Sequence, residues 1–97
     1  MNRRSPDDVL APEAVDRALA GLDWARDGGE IVKVWRGQDF AGALAFVNAV
    51  GALAEAVDHH PDIDIRWNVV TLRLSTHSAG GITDLDLELA ARVEALG

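Results

Sequence analysis

Between Asp39 and Val57 apolar residues recur at helical spacing, and Pro61 prevents that pattern from running much further. Phe40, Leu44, Val47, Val50, Leu53, Ala54 and Val57 fall at steps of three and four, the signature of a helix face. Asp39 is placed to cap the helix start. Small residues fill most of the gaps: Ala41, Gly42, Ala43, Ala45, Ala49, Gly51 and Ala52. A helix that is small and apolar nearly all round is expected to be covered on more than one side. Each of Gly42 and Gly51 costs about 1 kcal/mol in a helix interior, which predicts close packing at those two points. The residue before a proline avoids the helical region, so His60 is expected to be extended.

The flanking segments complete an α+β pattern. Residues 1–10 are polar at the start and read as a flexible N-terminal segment, leaving 11–97 as a single domain. Pro12 opens a short amphipathic helix over about 12–20, with Val15, Ala18, Leu19 and Leu22 on one face. Leu22 to Arg36 resembles a hairpin around Asp27-Gly28-Gly29, although the pattern does not say which face of its second strand is buried. Asp62 to Trp67 alternates strictly, and Val69 to Leu74 alternates again. These are two strands joined tightly at Trp67-Asn68, one long strand, or two strands with a wider loop. Thr83-Asp-Leu-Asp86 starts a last helix as a capping box with aspartate in place of glutamate, with Leu85, Leu89, Val93 and Leu96 along one face. The expected fold is an antiparallel sheet of about four strands with three helices packed on one face.

Composition excludes several function classes. No apolar run reaches the roughly 18 residues of a membrane span, and no apolar stretch follows the early arginines as a secretory signal requires. No membrane role is expected. Nine basic residues stand among sixteen acidic ones, for a formal charge of −7, so there is no basic stripe for nucleic acid. The absence of cysteine removes disulfides, thiolate metal sites and cysteine nucleophiles, and fits a cytoplasmic protein.

The chemistry-bearing residues concentrate at element boundaries. The chain has three histidines. His59 and His60 are adjacent after the long helix, and His77 follows the second alternating segment. Histidine both donates and accepts protons near neutral pH, so these rings suit acid–base work. Glu55 precedes His59 by four residues, which puts the two on one face if the helix persists that far. Asp58 and Asp62 flank the pair. Asp86, in the first turn of the last helix, is expected to fold back and orient His77. Other readings remain open. Each histidine taken alone is an ordinary solvated side chain. Three histidines can bind zinc, but adjacent ones chelate poorly and no His-x-x-x-His or His-x-His pair is present. Ser75 near His77 lacks the setting of a nucleophile. Gly80-Gly81 before a helix suits an anion or simply a turn.

The run Glu55-x-x-x-His59-His60-Pro61, then Trp67, Ser75-Thr76-His77 and Gly80-Gly81-Ile82-Thr83-x-x-Asp86 resembles the pterin-4a-carbinolamine dehydratases. The resemblance covers about residues 10–96. It implies dehydration of a 4a-hydroxy-tetrahydropterin to quinonoid dihydropterin, without metal or organic cofactor, in tetrahydropterin recycling after an aromatic amino acid hydroxylase. It implies that His59, His60, His77 and Asp86 are the catalytic residues around the reacting centre, with His60 and His77 moving protons, His59 binding substrate and assisting, Asp86 supporting His77 and Glu55 supporting His59. Asp58, Pro61, Ser75, Thr76 and Ser78 are implied as pocket-lining. A homodimer or homotetramer is expected. Members of the family also act as dimerisation partners of a transcription factor, and action on another pterin, as in molybdopterin metabolism, is a further alternative.

Overall fold

A computed structural model describes residues 5–97 of the chain. Part of the N-terminal segment expected to be flexible, residues 1–4, lies outside the described residues. Its later part is held down. Leu10 is buried and its N–H donates to the carbonyl of Ile82 at 2.8 Å. Val9 lies so close to Gly81 that a Cβ there would meet it at 2.9 Å.

The chain then forms α1 (Pro12–Leu19), β1 (Ala25–Asp27), β2 (Glu30–Arg36), α2 (Phe40–Val57), β3 (Asp62–Arg66), β4 (Val69–Leu74) and α3 (Asp84–Glu94). Proline at the first turn starts α1, and its core face is Val15 and Leu19, while Ala18 is exposed. Gly28-Gly29 closes a two-residue hairpin with Asp27 paired to Glu30, Gly28 taking the φ of +61° such turns require. Trp67-Asn68 closes the second hairpin, so the tight junction is the correct one of the three readings. The strands form one antiparallel sheet in the order β1-β2-β4-β3.

Register decides which face is buried. Ile31, Lys33 and Trp35 pair with Leu74, Leu72 and Val70, and Ile63 and Ile65 pair with Leu72 and Val70, so all these side chains share one face. The helices cover that face. A lysine therefore sits among aliphatic neighbours. Its Nζ reaches Asp23 at 3.3 Å and Glu94 at 3.4 Å, partners that a buried ammonium requires. Trp35 stacks on Phe46 of α2, with centroids 4.2 Å apart and planes 2° from parallel. Gly37 leaves room for that ring, since a Cβ there would meet it at 2.7 Å. Gly37 and Asn68 bond reciprocally, N–H to carbonyl and side-chain amide to carbonyl, each at 2.8 Å.

Asp39 caps α2 as expected, accepting from the Gly42 N–H at 2.8 Å. The core stripe is Ala43, Phe46, Val50 and Ala54. α2 packs against β4 and against α3, while its remaining side is open among the described residues and exposes Phe40 and Leu44. Nothing lies within 4 Å of a Cβ placed on Gly51, and only the capping carboxylate comes near one on Gly42. The close packing expected at these glycines is not found. α2 overturns the expectation that no apolar stretch is long enough for a membrane span. Over Phe40–Val57 it is 18 residues long with mean hydropathy 1.7, enough to cross a membrane by length and composition. A helix with one face in a protein core meets the same test, and this one lays its stripe on the sheet. In α3 the buried positions are Asp86, Leu89, Ala90 and Val93, whereas Leu96, assigned to the core face from its spacing, is exposed.

Candidate active site

The end of α2 sets the first half of the site. Asp58 takes a left-handed conformation, φ 52° and ψ 45°. Its N–H bonds the carbonyl of Glu55 at 3.4 Å, and the N–H of His59 bonds that of Ala54 at 3.1 Å. These crossed bonds are the Schellman arrangement that reverses the chain after a helix. The helix therefore stops at Val57, before Pro61 can act on it, and His59 lies outside it. The expected Glu55–His59 pairing along one helix face does not form. Glu55 instead bonds Nε2 of His60, and both side chains are largely exposed. Asp58 serves as the reversal residue and is exposed beside the pair.

The reversal sends His59 towards α3. Its Nε2 lies 2.5 Å from Oδ1 of Asp86, which is fully buried. The expected Asp86–His77 pairing is thus replaced by Asp86–His59. Asp86 is held from its other side as well. Its Oδ2 accepts from the Thr83 N–H at 2.9 Å, the capping contact, and from the Thr76 hydroxyl at 2.8 Å. Position within the first turn puts this carboxylate at the positive end of the helix dipole. A buried carboxylate needs such partners, and hydrogen bonds to a charged group are among the stronger ones.

The second half of the site is the turn after β4. Thr76 bridges to Gly81, and the carbonyl of Thr76 accepts from Ala79 and Gly80. Gly80 supplies the φ of +82°. His77 and Ser78 sit at the exposed tip, with Ser75 half-buried at the base. Thr76 was expected to line the pocket, yet it is 4 % exposed and its N–H, carbonyl and hydroxyl are all engaged inside the protein. Thr83, read from sequence only as a helix cap, is part of the same cluster, its hydroxyl 2.7 Å from that of Thr76. The Thr-x-x-Asp spacing was the available signal, but it pointed to capping alone.

The arrangement links the two halves through one carboxylate. Asp86 bonds His59 on one oxygen and the residue preceding His77 on the other. Two adjacent rings each have their own acidic partner, one buried and one at the surface. Among the described residues no enclosed pocket is present in the single chain, and no three acidic or histidine side chains are grouped as a metal set requires.

The family described as pterin 4 alpha carbinolamine dehydratase matches residues 8–96. The chain belongs to that family. Among relatives that carry the pterin-4-alpha-carbinolamine dehydratase name, one from Roseiflexus castenholzii is 55% identical over 87 residues, covering 89% of this chain and 94% of the relative. Another from Nocardia farcinica is 47% identical over 90 residues, covering 92% and 95%. The fold agrees with the crystal structure of a transcriptional coactivator/pterin dehydratase from Brucella melitensis, at a TM-score of 0.86 and 30% identity over 92% of this chain and 98% of that one. A pterin dehydratase-like protein described as a RuBisCO assembly factor in the alpha-carboxysome matches with a TM-score of 0.61 and 27% identity, covering 75% and 84%. Three helices on a four-stranded antiparallel sheet are thus the dehydratase-family fold.

Proposed function

We propose that the protein dehydrates a 4a-hydroxy-tetrahydropterin to the quinonoid dihydropterin by histidine acid–base catalysis, in support of tetrahydropterin recycling. The observation that carries this reading is the pair of adjacent histidines held by separate carboxylates, His59 by Asp86 and His60 by Glu55, with the His77 turn bonded to the same Asp86 through Thr76. Membership of the dehydratase family supports it.

The reaction is an elimination. The C4a–O bond breaks as the hydroxyl receives a proton and leaves as water. The N5–H proton passes to a base, and the electrons of that bond form C4a=N5. One proton is given and one is taken, so two groups near neutrality suffice. His60 and His77 are exposed and reachable by a ligand, which suits them to the proton transfers. The His59 side chain is 13% exposed and committed through Nε2 to Asp86, which suits it to holding the substrate. Glu55, Asp58, Pro61, Ser75 and Ser78 surround these rings in the chain and are assigned to substrate contacts.

The test is turnover of enzymatically generated 4a-hydroxy-tetrahydropterin. Wild-type protein should accelerate dehydration, and His60→Ala and His77→Ala should each lose most of that acceleration. Full acceleration in both variants would overturn the assignment. Activity confined to a different pterin, as in molybdopterin metabolism, would redirect it.

A binding role is the second reading, favoured by the open apolar side of α2. Phe40 and Leu44 are 46% and 40% exposed on a helix with no charged residue before Glu55. We assign this side to self-association as a homodimer or homotetramer. Light scattering should report an oligomer for wild-type protein and a smaller species for Leu44→Glu.

A further inference from the structure

We propose that Thr76 is a positioning residue for His59, acting through Asp86, with the Thr83 hydroxyl setting its direction. This rests on the dehydratase reading only for its kinetic consequence. The geometry stands by itself.

A threonine hydroxyl carries one proton. That of Thr76 is donated to Asp86 Oδ2 at 2.8 Å. In the contact between the two hydroxyls, 2.7 Å long, Thr83 must then be the donor. The Thr83 oxygen in turn accepts from the Leu85 N–H at 3.2 Å. The donors therefore point one way, from the first turn of α3 through Thr83 and Thr76 to the carboxylate. Thr76 is 4% exposed and Thr83 and Asp86 are fully buried, so water does not compete for these bonds. With Thr76 O–H and Thr83 N–H both on Oδ2, the carboxyl plane is fixed and Oδ1 is presented to His59.

The consequence is a choice of tautomer. Both hydrogen bonds at Oδ2 arrive from donors, and the contact at Oδ1 needs a donor too, so the ring carries its proton on Nε2. In the neutral ring Nδ1 is then the acceptor nitrogen. Which nitrogen carries the proton is set by the partner of the other, as for histidines in acid–base sites generally. A valine at position 76 has nearly the same shape but no proton to donate. It would free Oδ2 on one side and leave the Thr83 hydroxyl without its acceptor.

The experiment measures the His59 tautomer by imidazole nitrogen NMR in the full chain, assigned with the help of His60→Gln and His77→Gln. It pairs this with kcat and KM on the pterin carbinolamine. Wild-type His59 should be the Nε2–H tautomer. Thr76→Val should keep the Nε2–H form, since Oδ1 can still only accept, but should shift the Nε2 resonance as the loosened carboxylate weakens that bond, with kcat lowered about tenfold, equivalent to ~1.4 kcal/mol, at a KM within about twofold of wild type. Thr76→Ser should restore both. If Thr76→Val does not fold, Thr76→Cys replaces it, its thiol being a weak donor, and the same changes are expected in smaller degree. An Nδ1–H tautomer in wild type, an unshifted Nε2 resonance in the hydroxyl-free variant, or failure of Thr76→Ser to restore it would overturn the proposal. Should wild-type protein prove inactive on the pterin, the dehydratase reading fails while the Nε2 resonance still decides the role of Thr76.

Discussion

Nε2 of His59 and Oδ1 of Asp86 lie 2.5 Å apart although the two residues are 27 positions apart in the chain. The contact ties the exit of α2 to the entry of α3. Asp86→Asn should reverse its donor and acceptor without disturbing the surrounding bonds. Thr76 and Thr83 both donate to Oδ2, so the amide oxygen must stay there and the NH2 must face His59. Donor then meets donor and the ring is driven to its other tautomer. The expected outcome is a fall in kcat of roughly tenfold to a hundredfold and a loss of about 1–3 kcal/mol in stability. Steady-state kinetics and urea unfolding measure the two.

Gly37→Ala tests the aromatic contact between β2 and α2. A methyl group there meets the Trp35 ring at 2.7 Å, and that ring is already stacked on Phe46. Moving it costs stability of about 1–3 kcal/mol, the range for overpacking. A thermal melt should show the lower Tm. An unchanged Tm would mean that the stack shifts freely.

Gly51→Ala should act in the opposite direction on the isolated chain. The position is inside α2, its φ is ordinary and the added methyl meets nothing within 4 Å. Helix propensity then favours alanine by about 1 kcal/mol. Comparison of Tm over a range of protein concentrations checks this. If the gain disappears at high concentration, the open side of α2 has a partner that the methyl disturbs.

Acid should reveal the Asp16–Arg26 pair. The guanidinium of Arg26, 2.9 Å away through Nε, holds the Asp16 carboxyl below its ordinary value of 3.8. A depressed folded-state value stabilises the fold above the ordinary one, and the contribution is lost as pH falls through the depressed value. Asp16→Asn should therefore lower Tm at pH 6, with the difference closing below pH 3.8 as the wild-type carboxyl protonates. Both side chains are solvent-accessible, so high salt should shrink the effect.

Much of the fold is legible in the sequence because its signals are local. Asp39 and Thr83 mark helix starts within a few residues of the backbone groups they cap, and Gly28-Gly29 needs only its own torsion angles. The three histidines and two carboxylates were also visible as residue types at element ends. Their pairing was not. It depends on Asp58 reversing the chain, and a left-handed aspartate has no distinctive sequence mark. A straight continuation of the helix gives Glu55 to His59, whereas the reversal gives Glu55 to His60 and frees His59 for Asp86. Lys33 escaped for a related reason. Alternation shows that it shares a face with Ile31 and Trp35, but only the pairing with Leu72 shows that this face is the covered one.

The reversal at Asp58 also makes chain length between Val57 and Pro61 a functional quantity. Two neighbouring rings reach carboxylates on opposite sides because one residue, and no more, turns the backbone between helix and site. Glycine at position 58 would accept the same torsion angles and preserve the geometry. Inserting or deleting one residue there would instead exchange the directions of the two rings, sending the solvent-facing histidine inward and the anchored one out. Position 58 should therefore tolerate an altered side chain more readily than the segment tolerates an altered count.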